Sequence, residues 1–104
     1  MIKIYKKLVR DNIPDICISN NQIPDYRVLD DGEYRRELRK KLKEETKEYL
    51  ISHSEEELAD IIEVVEALAK VQGVSFEKLL EIKEQKAKKN GKFDKRYFLE
   101  SVKK

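Results

Sequence analysis

Between Ser54 and Gly73 the apolar residues Leu58, Ile61, Ile62, Val65, Leu68 and Ala69 recur every three or four positions, a spacing that an α-helix gathers onto one side. The segment also carries its own start and stop. Ser54 followed by Glu57 has the pattern of a capping box, and Gly73 is suited to the left-handed turn that ends a helix. The same grammar recurs elsewhere. Asp30 or Asp31 can cap a helix running to about Ile51, and Ser75 can cap one that Gly91 ends, with Phe76, Leu79, Leu80 and Ile82 as its apolar positions. Asn12, with Pro14 in the first turn, predicts a short helix that stops near Asn20 and Asn21. Pro24 holds the connector from Gln22 to Leu29 extended, and the stretches before Asn12 and after Phe93 carry no firm helical signal. The expected fold is therefore all-α, with four helices in one domain spanning residues 1–104.

A chain of 104 residues with 42% charged and 39% hydrophobic composition has little apolar material for a closed core. A domain of this size buries roughly 60–68% of its unfolded surface, so a second copy is the expected way to complete the helical bundle. The 23 basic and 21 acidic residues leave a formal charge of +2, which favours neither nucleic acid nor a membrane surface as partner. Their distribution is uneven. Acids gather between Glu44 and Glu66, and bases at Lys3 to Arg10 and from Lys83 onward. Cys17 is the only cysteine, so no intramolecular disulfide forms. No apolar run is long enough for a signal peptide or membrane span, and the cytoplasm is the expected compartment.

Glu45 and Glu48 stand three residues apart on one predicted helix, and Glu57 and Asp60 stand three apart on the next, so each pair shares a helix face. The Ser52–Ser54 break favours antiparallel packing, which would bring the four carboxylates together as a hard-oxygen cage for Mg²⁺ or Mn²⁺. Acids on helices usually face solvent, but Glu45 continues the stripe of Tyr34, Leu38, Leu42 and Tyr49. Glu57 continues that of Ile61, Val64 and Leu68. An unpartnered carboxylate in a core position is costly, and a divalent cation offsets that cost. Glu55, Glu56, Glu63 and Glu66 fall on the outer arc and are assigned to solvent.

Glu44-Glu45-x-x-Glu48 followed by Glu57-x-x-Asp60 resembles the metal-binding signature of the MazG-like, all-α nucleoside triphosphate pyrophosphohydrolases. That superfamily also includes phosphoribosyl-ATP pyrophosphohydrolase and the dimeric dUTPases. The likeness to its small phosphoribosyl-ATP pyrophosphohydrolase-like, house-cleaning branch spans Lys7 to Phe93. It rests on Lys7-Leu8-Val9-Arg10-Asp11-Asn12-Ile13-Pro14, on Lys41 to Glu45 with Glu57 to Val64, and on Lys86 to Phe93. The chain departs from the pattern at Asn90 and Lys92, where the branch often has Arg and Gly, and only eight residues separate Glu48 from Glu57.

The resemblance implies a MazG-like four-helix bundle, completed as a homodimer or homotetramer, and hydrolysis of a nucleoside triphosphate or analogue to the monophosphate and pyrophosphate. It further implies that Glu45, Glu48, Glu57 and Asp60 bind the metal, with Mn²⁺ a possible substitute for Mg²⁺. Glu44 is a candidate base beside Glu45, and Lys41, Lys86 and Lys89 are candidate phosphate contacts, although Lys41 would equally pair with Glu45 or Glu37 on its own helix. Arg10 and Asp11 are read as fixing the N-terminal segment against the bundle. His53 is read as a turn residue, Cys17 as a small buried hydrophobe, and Tyr34 and Tyr49 as core. The competing reading is a non-catalytic helical module that binds a nucleotide or a protein and regulates it.

Overall fold

The computed structural model describes all 104 residues and contains four helices and no strand: α1 (Ile13–Ser19), α2 (Asp31–Ser52), α3 (Glu55–Val71) and α4 (Phe76–Asn90). Three of the four starts are set by side-chain caps. Asp30 accepts from the Glu33 amide at 2.9 Å, Ser54 from the Glu57 amide at 3.3 Å, and Ser75 from the Lys78 amide at 3.1 Å. Asn12 stands before α1 but makes no side-chain cap bond, contrary to the sequence expectation, because its own backbone is already in the right-handed helical region. A cap residue needs extended geometry to turn its oxygen back toward the first amides.

Only His53 and Ser54 separate α2 from α3, so the two helices form an antiparallel hairpin in which Leu38 lies near Val64 and Glu45 near Asp60. His53 makes the reversal possible by adopting the left-handed region at φ 56°, and its exposed ring tilts against Tyr49 at 6.0 Å. Gly73 and Gly91 end α3 and α4 with φ of 78° and 87°, values that a Cβ disfavours. The connector before α2 is pinned by Arg27, whose guanidinium donates to both oxygens of Glu33 at 3.0 and 2.7 Å and lowers that carboxyl to about 2.

Leu38, Val64 and Ala69 are the only buried hydrophobic residues, while Tyr34, Leu42, Tyr49, Ile61 and Leu68 are half-buried. Several residues expected inward are not. Leu58 and Ile62 are 45% and 54% exposed, Leu80 and Ile82 are exposed on α4, and Cys17 is half-buried. The reason is that α3 is apolar on more than one side, and α2 with α4 covers only part of it. One copy does not close a four-helix bundle, since α1 buries no residue and α4 lies against α3 alone.

The surface reflects this. The chain exposes 10166 Å², whereas a compact monomer of 12.4 kDa would expose about 6,100 Å². Its radius of gyration is 18.4 Å against about 13 Å for a compact domain of this length. No helix is long and apolar enough to cross a membrane.

Candidate metal centre

Seven residues after Leu38 on α2, two helical turns along the same face, stands Glu45, and the hairpin carries it inward as it carries Leu38. Glu45 is 6% exposed and is the only buried charged residue. Opposite it, Glu57 and Asp60 project from the first turns of α3, both half-buried. One carboxylate oxygen from each of Glu45, Glu57 and Asp60 lies within 4.8 Å of the others. These three residues could hold a metal ion. All the donors are carboxylate oxygens, a set suited to hard divalent cations.

Two atoms of this cluster are stranded. Oε2 of Glu45 and Oε2 of Glu57 are buried and accept no hydrogen bond. A buried carboxylate oxygen without a donor is destabilising, and here the like charges add to the cost. Both carboxyls are pushed above their ordinary range. For Glu45 the causes are burial and then Glu48, partly opposed by Lys41. For Glu57 they are burial, Glu48, and the charges of Asp60 and Glu45. Glu48 itself is exposed at the border of the cluster, close enough to act on both but outside the triad.

Cations ring the acids. Lys41 Nζ lies 3.4 Å from carboxylate oxygens of both Glu44 and Glu45, and Lys7 Nζ reaches Glu44 at 3.5 Å. Glu37, the other partner anticipated for Lys41, pairs with Lys40 instead. Arg10 donates from Nη2 to Oδ1 of Asp60 at 2.7 Å. Five carboxylates, Glu44, Glu45, Glu48, Glu57 and Asp60, thus meet three cations, and the formal excess of two negative charges equals the charge of one divalent ion.

A cleft of about 530 Å³ opens beside the cluster between the N-terminal segment, α2 and α3. Arg10, Asp11, Lys41, Glu45 and Asp60 line its charged side, and Val9, Ile13, Ile16, Tyr34 and Leu38 its apolar side. Glu63, assigned to the outer arc, is exposed yet borders this cleft. Glu55, Glu56 and Glu66 are exposed, as expected. Lys86 and Lys89 are exposed on α4 and do not line the cleft, so within one chain only Lys41 of the three expected lysines reaches the acids.

The engagement of Lys7 and Arg10 with the acids exceeds what the sequence reading assigned to them. Arg10 ties the N-terminal segment to Asp60, one of the three acids that could hold a metal ion. The signal was present in the basic run from Lys3 to Arg10, since an unneutralised acidic centre attracts whatever cations the chain can reach. Comparison with known proteins returns no family model, no curated protein and no solved structure that matches the chain.

Proposed function

We propose that the protein is a Mg²⁺-dependent hydrolase that cleaves a nucleoside triphosphate, or a close analogue, to the monophosphate and pyrophosphate, and that it works as a homo-oligomer. The observation that carries the reading is the buried Glu45 carboxylate, with an oxygen that no donor satisfies, facing Glu57 and Asp60. A chain evolved for stability alone would gain by an apolar residue there. The resemblance of the three sequence motifs to the MazG-like pyrophosphohydrolases supplies the reaction class.

Glu45, Glu57 and Asp60 would hold the ion, and Glu48 stands at the border to complete the set. A divalent ion in such a site supplies positive charge to the phosphates and a nucleophile at neutral pH. Glu44, paired with Lys7 and Lys41, would be the group beside Glu45 that accepts a proton. Lys41 bridges Glu44 and Glu45 and lines the cleft, where the third donor of its ammonium would be available to a phosphate. The apolar side of the cleft suits a nucleoside, and its charged side suits the phosphates. Attack at the α-phosphorus is favoured over γ-phosphate chemistry because the three glycines form no phosphate-cradling loop. The excess exposed surface and the exposed Leu58 and Ile62 support an oligomer.

A screen for pyrophosphate release over ordinary and damaged nucleoside triphosphates, with and without Mg²⁺, tests the reading, and chromatography of the products identifies the bond. Metal-dependent release of pyrophosphate with a monophosphate is expected. A diphosphate with orthophosphate would overturn the bond assignment, and no turnover of any triphosphate would leave the non-catalytic module in its place.

A further inference from the structure

Arg10 holds Asp60 through a single nitrogen at 2.7 Å, and its side chain is 56% exposed, so most of its five N–H donors stay free toward the cleft and solvent. The residue it holds is one of the three that converge as candidate metal ligands. With a divalent cation in the triad, Asp60 would serve as its ligand, and the cation would compete with Arg10 for the charge of that carboxylate. The attraction that keeps Arg10 on Asp60 would then weaken, while the phosphates of a substrate would offer it a stronger anion. Arg10 lines the same cleft as Lys41 and sits on an irregular segment, with Lys6 at φ 45°, that no secondary-structure ladder locks in place. A guanidinium released there is suited to a phosphate, which it can bind through two parallel hydrogen bonds.

We propose that Arg10 is a phosphate ligand for the substrate, parked on Asp60 in the metal-free protein and released to the polyphosphate when the cation binds. The proposal rests on the metal-centre reading above. It gives the N-terminal segment a part in ordered binding, metal first and polyphosphate second, and it predicts opposite effects of one substitution on two ligands. Removing Arg10 leaves Asp60 unpaired, so Mg²⁺ alone binds more tightly. The same change removes a phosphate contact, so the polyphosphate binds more weakly.

Calorimetric titration of the full chain tests this with Mg²⁺ alone and then with inorganic triphosphate at saturating Mg²⁺, a probe that does not depend on the unknown base. Arg10→Ala should raise Mg²⁺ affinity severalfold and lower triphosphate affinity about tenfold, and Arg10→Lys should recover part of the second effect. Lys3→Ala removes the same charge from the same segment outside the cleft and should change neither by more than about twofold. Circular dichroism should show parental helicity in all three variants. Triphosphate affinity unchanged in Arg10→Ala, or both affinities falling together, would overturn the proposal while leaving the metal centre intact. Absence of Mg²⁺ binding in the unsubstituted protein would overturn both.

Discussion

The backbone amide of Glu57 donates to the Ser54 hydroxyl at 3.3 Å, but the Glu57 carboxylate does not return the bond to the Ser54 amide, which donates instead to the Ser52 hydroxyl at 3.2 Å. A full capping box would use both halves. Here the Ser52 hydroxyl takes over the second half, and the freed carboxylate turns toward Glu45 and Asp60. The first turn of α3 thus does two jobs with one residue: its amide starts the helix, and its side chain enters the acidic centre. Ser54→Ala should therefore destabilise the protein by about 1 kcal/mol, with Ser54→Asp close to neutral. Urea unfolding measures the difference, and equal midpoints for Ser54→Ala and the parent would show that the cap carries no weight.

On the proposed metal-centre reading, Glu45→Gln and Glu57→Gln would each remove one charged ligand from the triad. Loss of groups that merely orient a metal ligand costs 10- to 100-fold in affinity, so loss of a ligand's charge should weaken Mg²⁺ binding by about tenfold or more. Turnover should fall with it. The metal-free variants should keep their stability or gain some, because repulsion among poorly solvated carboxylates is relieved. Glu66→Gln is the control, since Glu66 is exposed and Glu63 borders the cleft. Calorimetric Mg²⁺ titration with thermal unfolding decides the matter. Unchanged Mg²⁺ binding in both triad variants would reduce these acids to ordinary helix residues.

The raised carboxyls of Glu45 and Glu57 set a direction for stability against pH. An acid held above its unfolded value binds its proton more tightly in the folded chain. Its contribution is full below the unfolded value and is lost as pH rises through the folded one. Glu33 works the other way. With its carboxyl held at about 2 by Arg27, its contribution is present above 4.5 and is lost as pH falls toward 2. The melting temperature of the metal-free protein should accordingly peak on the acidic side of neutrality. Saturating Mg²⁺ should flatten the decline toward pH 7, and so should the double substitution Glu45→Gln with Glu57→Gln. A metal-free protein whose melting temperature rises steadily from pH 5 to pH 8 would contradict this.

Leu58 and Ile62 are exposed four residues apart on α3, the most apolar of the three long helices. Static light scattering at micromolar concentration should return at least twice the chain mass of 12.4 kDa. Leu58→Lys and Ile62→Lys should each shift the population toward monomer by burying a charge at the contact. A stable monomer in the unsubstituted protein would remove the oligomer from the proposed function.

Local chemistry determined the helices. Asp30, Ser54 and Ser75 cap three of them because a short side-chain oxygen can reach an amide three residues on, wherever the rest of the chain lies. Gly73 and Gly91 stop two of them because the left-handed turn is open to a residue without a Cβ. Glu45 was legible for a related reason: a two-turn spacing from Leu38 is a property of the helix itself. Asn12 shows the limit of such signals, since its cap depended on a backbone angle that its neighbours set.

Tertiary structure alone decided what stands opposite what. The sequence places Arg10 fifty residues from Asp60, and no periodicity relates an irregular segment to a helix in a hairpin. Their 2.7 Å contact follows from the hairpin concentrating negative charge where a basic segment passes. The same holds for Leu58 and Ile62, apolar by sequence yet uncovered. Helix spacing determines which residues share a face; the number and placement of neighbouring helices determine which faces are covered. In a single copy of this chain there are too few helices to cover them all.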